Sequence, residues 1–306
     1  MKFATFTYEG RDRYGLVIDD KVLDFTSAPS DVKLPPDLQS FIEAGEVVLE
    51  AAVRLQEYAG KRQMDKHLIP LTAVRLRAPF PRPRKNVFCV GRNYFKHALE
   101  GAKARGEELK LPDVPELFTK PPSAVIGPGD EIEFDSRVST DVDYESELAV
   151  IIGRAGKNIA RENAYDHVFG YTVVNDVSAR DVQYAHGGQW FKGKALDGSC
   201  PMGPVIVHKS QVADPHNLGI WLRLNGEVMQ DANTGDMTFN IPAVIEILSR
   251  GLTLQPGDVI STGTPPGVGF ARDPKVFLRP GDTVEAEVES IGVLRNTVGA
   301  DQNPDR

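Results

Sequence analysis

The stretch TDVDYESELAVIIG (Thr140–Gly153) joins two patterns that conflict within one strand. Its second half, LAVIIG, is an apolar run of the kind that fills a β-core. Its first half places an acid at every second position: Asp141, Asp143, Glu145 and Glu147. Residues two apart on a strand point to the same face, so Glu145 and Glu147 are expected side by side, with Asp143 behind them. Carboxylates that close repel one another and resist losing water. Two readings follow: a solvated edge strand kept acidic against aggregation, or a site for a hard divalent cation with oxygen ligands.

The rest of the chain narrows the class. It has 306 residues, 41% hydrophobic and 25% charged, the composition of an ordinary globular protein of one large or two unequal domains. A net charge of -8 argues against nucleic-acid and anionic-membrane partners. The one compact basic cluster, Arg82, Arg84 and Lys85, is broken by proline. Two cysteines, Cys89 and Cys200, read as reduced thiols, and the six histidines are scattered, which disfavours zinc. No apolar run reaches membrane-spanning length, and the N-terminus has no apolar leader. A cytoplasmic location is expected.

Short strands dominate. Residues 2–25 read as two or three short antiparallel strands. PPDLQSFIEAGEVVLEAAVRLQEYAG reads as two helices, with Leu38, Phe41 and Ile42 on one face and Val48, Leu49, Val53 and Leu55 following. The proline-rich LRAPFPRPRKN sets an expected boundary after residue 76. From Val87 onward strands recur, with helical signal confined to YFKHALEGAKARGEEL, ARDVQYAH and PAVIEILSRG. The expectation is a β-rich α+β fold with a small lobe at 1–76, a main domain at 77–298 and a frayed tail at 299–306.

Some glycine-rich segments mislead. GGQWFKGKA matches a phosphate-binding loop up to Lys194, but Ala195 stands where Ser or Thr must hold magnesium. The prolines of GTPPGVG remove backbone donors that a phosphate cradle would use. No G-x-S-x-G elbow occurs. In FGYTVVNDVSARD an apolar strand ends at Asp176, which is either a helix N-cap or a third carboxylate for the cation. Arg180 lies four residues on, at a spacing that shares a helix face. In GRNYFKHALE, His97 and Glu100 are three apart, which makes either an ordinary surface pair or an oriented general base.

The blocks GRNYFKHALE, LFTKPPSAVIGPGD, DYESELAVIIG, GYTVVNDVSARD, KGKALDGSCPMGP and GDVISTGTPPGVG occur in the order and phrasing of the fumarylacetoacetate hydrolase family, over residues 80 to 295 or so. The resemblance implies a mixed β-sandwich roll, a homodimer, and one divalent metal on Glu145, Glu147 and Asp176, of the kind Mg²⁺ or Mn²⁺, with Ca²⁺ as a further candidate. It implies a His97–Glu100 pair on a helical lid, a metal-proximal Lys194, and substrate contacts from Lys194, Thr264, Arg180 and Gln189. Residues 101–116, longer than in compact members, flank that lid and are placed to shape the distal pocket. The expected reaction is hydrolysis of a C–C bond in an acylpyruvate-type 2-oxo acid of the kind met in aromatic-compound breakdown, with His97 activating water. Decarboxylation of oxaloacetate or a tricarboxylate, and keto–enol isomerisation, are the alternatives on the same metal site. A binding protein that has lost catalysis is a third.

Overall fold

The computed structural model describes residues 1–61 and 64–303. In chain order the strands are β1 Lys2–Tyr8, β2 Arg11–Ile18, β3 Lys21–Asp24, β4 Leu68–Pro70, β5 Arg75–Leu76, β6 Val87–Gly91, β7 Glu116–Lys120, β8 Val125–Ile126, β9 Glu131–Phe134 and β10 Val142–Asp143. They continue with β11 Ser146–Ile152, β12 Val168–Asn175, β13 Ser178–Ala179, β14 Cys200–His208, β15 Gly219–Leu224, β16 Glu227–Asn233, β17 Val259–Ser261, β18 Thr283–Val288 and β19 Gly292–Asp301. The helices are α1 Leu38–Ala44, α2 Glu46–Gly60, α3 Phe95–Arg105, α4 Arg180–Ala185, α5 Phe191–Lys194 and α6 Ile241–Ser249.

Among the described residues twelve strands form one sheet. Its order is β4-β3-β2-β1-β14-β12-β11-β17-β6-β7, with β5 beside β1 and β8 beside β14. A second sheet runs β16-β15-β18-β19-β9. The two share a core in which Val150 and Val173 meet Ile220, Ala286 and Leu294. The fold is mixed α+β and strand-rich, as expected. β11 and β12 are buried at every position, which is why both read as nearly unbroken apolar runs.

The acidic half of the opening stretch is not one strand. Val142–Asp143 pairs with β13, the chain leaves that ladder at Tyr144–Glu145, and β11 begins at Ser146. β11 lies between β12 and β17 rather than at an edge, and Glu145 and Glu147 are buried. The reading of a solvated acidic edge is therefore excluded.

The boundary expected after residue 76 does not interrupt the sheet. β1 pairs with β14, Lys2 opposite Val207 and Phe3 opposite Ile206. Pairing satisfies backbone groups that would otherwise line two open edges. Phe3 packs, ring tilted, against Phe41 and Phe169 at 5.4 and 5.3 Å between centroids, so the N-terminal segment and the later chain share a second core. The two expected helices form. Asp37 caps α1 by accepting from the Ser40 N–H, and Gly45, at φ +75°, turns the chain into α2. Leu38, Phe41, Ile42, Val48 and Leu55 face inward, but Val53 is exposed, and Ala52 takes the inward place. At the other end β19 continues to Asp301 through the tail expected to fray, and residues 304–306 lie outside the described residues.

Candidate active site

Antiparallel pairing builds the centre of the site. Ser146 lies opposite Asn175, so the next residue outward on each strand, Glu145 and Asp176, meet at the end of the β11–β12 pair. The Asp176 N–H donates to the Glu145 carbonyl at 2.8 Å, and the Glu145 N–H donates to Asn175 Oδ1 at 2.9 Å. Glu147 projects from β11 two residues on. One carboxylate oxygen from each of Glu145, Glu147 and Asp176 can be chosen so that all three lie within 4.8 Å of one another. Asp176 is not a helix cap: α4 starts four residues later, preceded by Ala179.

Asp143, the fourth acid, stands apart from this triad. It accepts from Arg180 Nε at 2.9 Å and from the backbone N–H groups of Gly269 and Phe270. Arg180 does not pair with Asp176 as its spacing suggested. Its Nη2 reaches Glu145 at 2.7 Å instead, because α4 begins only at Arg180 itself. Phe270 covers the guanidinium at 4.5 Å. Lys194, at the end of the one-turn α5, donates to Glu145 and Asp176 at 2.7 Å each. Lys120, which its motif does not single out, is fully buried and donates to Asp176 Oδ1 at 2.7 Å and to the Val177 carbonyl at 3.0 Å. A lysine closing a partly buried strand just before Pro-Pro was its only signal in sequence.

Four buried carboxylates thus face three buried cations. Burial opposes ionisation of Glu145, but Lys194 and Arg180 outweigh it and hold its carboxyl well below the usual range. Burial also opposes the charge on Lys194, yet Asp176 and Glu145 raise its ammonium above the ordinary value. Glu147 goes the other way. Burial pushes its carboxyl up, and Asp176 and Glu145 add to the shift. Ser261 Oγ and the Gly263 N–H donate to it, but among the described residues no ammonium or guanidinium lies in ion-pair range. A buried carboxylate of this kind, in an all-oxygen donor set with surplus negative charge, fits a hard divalent cation.

α3 roofs the triad. Its N-terminal approach is fixed by Asn93, buried, which donates to the carbonyls of Thr262 and Phe239 and accepts from the Phe239 N–H. His97 is buried on the inner face of α3, and its Nδ1 lies 3.0 Å from Glu100 Oε1. Together with Glu145, Glu147, Arg180, Lys194 and Thr264, His97 lines a cavity of about 320 Å³. Thr264 is fully engaged: its hydroxyl donates to the Ser146 carbonyl at 3.0 Å and accepts from Gln230 at 2.8 Å. Gln189 is exposed and does not line this cavity. Gln183, one turn into α4 and bonded to Arg180, supplies the amide there instead.

The site thus joins a buried carboxylate triad on a strand-rich fold to a helix that carries a bonded His–Glu pair. The profile of the family described as "Fumarylacetoacetate (FAA) hydrolase C-terminal" matches residues 86–299. The chain belongs to the fumarylacetoacetate hydrolase family, whose members are enzymes. It is 45% identical over 306 residues to the "Oxaloacetate tautomerase YisK" of Bacillus subtilis, covering 98% of this chain and 100% of that protein. It is 45% identical over 269 residues to the human "Oxaloacetate tautomerase FAHD2A, mitochondrial", covering 88% and 81%. Among solved structures, the "Fumarylacetoacetate hydrolase (EaFAH)" from Exiguobacterium antarcticum superposes with a TM-score of 0.79 at 39% identity, over 98% of this chain and 99% of that one. Among the described residues no helix is long and apolar enough to cross a membrane.

Proposed function

We propose that this protein interconverts the keto and enol forms of a small 2-oxo dicarboxylic acid of the oxaloacetate type. The site uses one divalent cation, Mg²⁺ or Mn²⁺, held by Glu145, Glu147 and Asp176. The observation that carries the reading is that His97, bonded to Glu100, lines one cavity together with Glu145 and Glu147 of the acidic triad. The names of the Bacillus subtilis and human relatives point to the same reaction.

Tautomerisation moves one proton between the carbon beside the 2-oxo group and the oxygen. It breaks no C–C bond and consumes no water. When bound, the cation supplies Lewis acidity and compensating charge for the 2-oxo acid end of the substrate. Glu100, a carboxylate that can only accept, fixes the proton of His97 on Nδ1 and leaves Nε2 to take and return the substrate proton. Lys194 and Arg180 keep Glu145 ionised and ready as a ligand. Gln183 and Thr264 bound the space around the substrate.

Hydrolysis of an acylpyruvate, the reaction expected from the motifs, would use the same groups, with His97 acting on water instead of carbon. One assay separates the two. The enol of oxaloacetate absorbs in the ultraviolet, and its decay is followed with and without enzyme and Mg²⁺ or Mn²⁺, next to acetylpyruvate cleavage under the same conditions. Faster enol decay with slow or absent cleavage is expected. Cleavage far outpacing enol decay would overturn the proposal. We further propose a homodimer, from the family resemblance; light scattering at the mass of one 33.5 kDa chain would reject it.

A further inference from the structure

Among the described residues five basic side chains line the cavity: Arg92, His97, Arg105, Arg180 and Lys194. Arg180 and Lys194 are buried and committed to Asp143, Glu145 and Asp176. Arg92 is gripped by Glu116 through two of its nitrogens. Arg105 differs. Its Nε meets Glu107 at 2.8 Å, but that glutamate is 58% exposed, so the pair is easily exchanged. Its Nη1 lies 3.3 Å from the Tyr184 hydroxyl, and the guanidinium sits 5.5 Å from the centre of the Tyr184 ring.

Position supports the same residue. His97, Gly101 and Arg105 are four apart in turn, so they share the inner face of α3. Helical side chains lean toward the N-terminus. Accordingly Arg105 folds back over Gly101, its Nη1 3.3 Å from where a Cβ would stand. The guanidinium is thereby brought to the turn after His97, a rise of about 6 Å. In a four-carbon 2-oxo dicarboxylic acid the carbon that exchanges its proton is bonded directly to the far carboxylate. If His97 serves that carbon, the far carboxylate falls within about one helical turn of His97.

We infer that Arg105 binds the far carboxylate of the substrate and makes the site selective for 2-oxo acids with a second, short carboxylate arm. Tyr184 holds the guanidinium from one side, and the ligand displaces Glu107 from the other. Arg105 is a specificity-determining residue, and its loss leaves the proton-transfer groups untouched. The inference deepens the proposed function and rests on it for the identity of the reacting carbon.

The test compares two ligands that differ only in the far carboxylate, malate and lactate, by calorimetry on the full-length protein with Mg²⁺. Wild type is expected to prefer malate. Arg105→Gln should weaken malate binding on the order of 10- to 100-fold, the worth of a charge-assisted hydrogen bond, and leave lactate unchanged. Arg105→Lys should recover part of the loss, and Arg92→Gln should show little of it. In the enol assay, Arg105→Gln should raise KM for oxaloacetate far more than it lowers kcat. Equal losses for both ligands, no malate preference in wild type, or a malate-selective loss in Arg92→Gln instead would each overturn the inference. If wild type does not speed enol decay, yet its malate preference disappears in Arg105→Gln, the subsite stands and only the assigned reaction fails.

Discussion

Glu100 accepts the backbone N–H of Gly267 through both carboxylate oxygens, at 3.0 and 2.9 Å, while Oε1 also meets His97 Nδ1 at 3.0 Å. One side chain therefore orients the imidazole and fastens α3 to the loop that follows β17. Gly267 sits at φ +107°, and a Cβ there would stand 2.2 Å from the Met229 carbonyl oxygen, so no other residue fits the latch.

Separating these two roles gives the first prediction. His97→Ala should cost enol–keto conversion on the order of 10²-fold, the usual worth of a positioned proton carrier, with Mg²⁺ binding unchanged. Glu100→Gln can still accept from Gly267 but no longer offers a charge to the imidazole. Its kcat should fall less than that of His97→Ala, and amide exchange in residues 95–105 should stay close to wild type. Glu100→Ala should lose both, with faster exchange in α3. Full activity in His97→Ala would remove the dyad from the mechanism.

Glu147 sets a pH signature. Burial, with Asp176 and Glu145, pushes its carboxyl up to about 8. Its folded value stands above its unfolded one, so the folded state keeps the proton longer. The resulting stability is complete below the ordinary carboxylate range and is lost as pH rises toward the folded value. Urea unfolding in a chelator should therefore show stability declining from mildly acidic to mildly alkaline pH. Glu147→Gln should flatten that decline without weakening the apo fold at alkaline pH. Mg²⁺ or Mn²⁺ at about 100 times its dissociation constant should stabilise wild type by about 2.7 kcal/mol and the variant hardly at all.

His208 acts at the acid end. Burial, with the N-terminal ammonium and Lys209, lowers its imidazole to about 4. Its Nδ1 accepts from the Ser210 N–H, which a proton on that nitrogen would prevent. The unfolded chain takes up the proton near the ordinary value of 6.5, before the folded one does. Stability is thus intact above that value and is lost as pH falls toward 4. His208→Asn should show a shallower acid slope in thermal unfolding between pH 7 and 4. An unchanged slope would assign the acid sensitivity to other groups.

The continuity of the main sheet predicts a single unfolding transition. Phe41 packs on Phe3, Tyr14 and Phe25 beneath β1, which is itself paired with β14. Phe41→Ala should cost about 3–5 kcal/mol and lower the transition of the entire protein. An early, separate transition for residues 1–76, with the remainder unchanged, would show instead that the N-terminal segment folds independently.

The sequence by itself determined the elements and the family. LAVIIG and YTVVN announce buried strands because a strand covered on both faces must be apolar at every position. The helices at 38–60, 95–105 and 241–249 follow from their periodicity, and six ordered motifs identify the family and nominate Glu145, Glu147 and Asp176. Tertiary structure alone decided what those residues meet. The alternation of acids has the pattern of one strand, but the chain changes ladder between Asp143 and Ser146, which sends Asp143 to Arg180 and the Gly269–Phe270 amides and leaves Glu145 and Glu147 with Asp176. Lys120, Gln183 and Arg105 carried no local signal of what they meet, because a lysine beside a carboxylate 56 residues away, or an arginine against the tyrosine of another helix, is a relation between separate parts of the fold. The boundary after residue 76 was legible as proline-rich punctuation. The partner of β1 across that boundary was not legible, because it is β14, some 200 residues away along the chain. Local pattern fixes which surfaces a segment must bury. The pairing of edges and charges across the chain determines where they are buried, and the cavity beneath α3 is formed by that pairing.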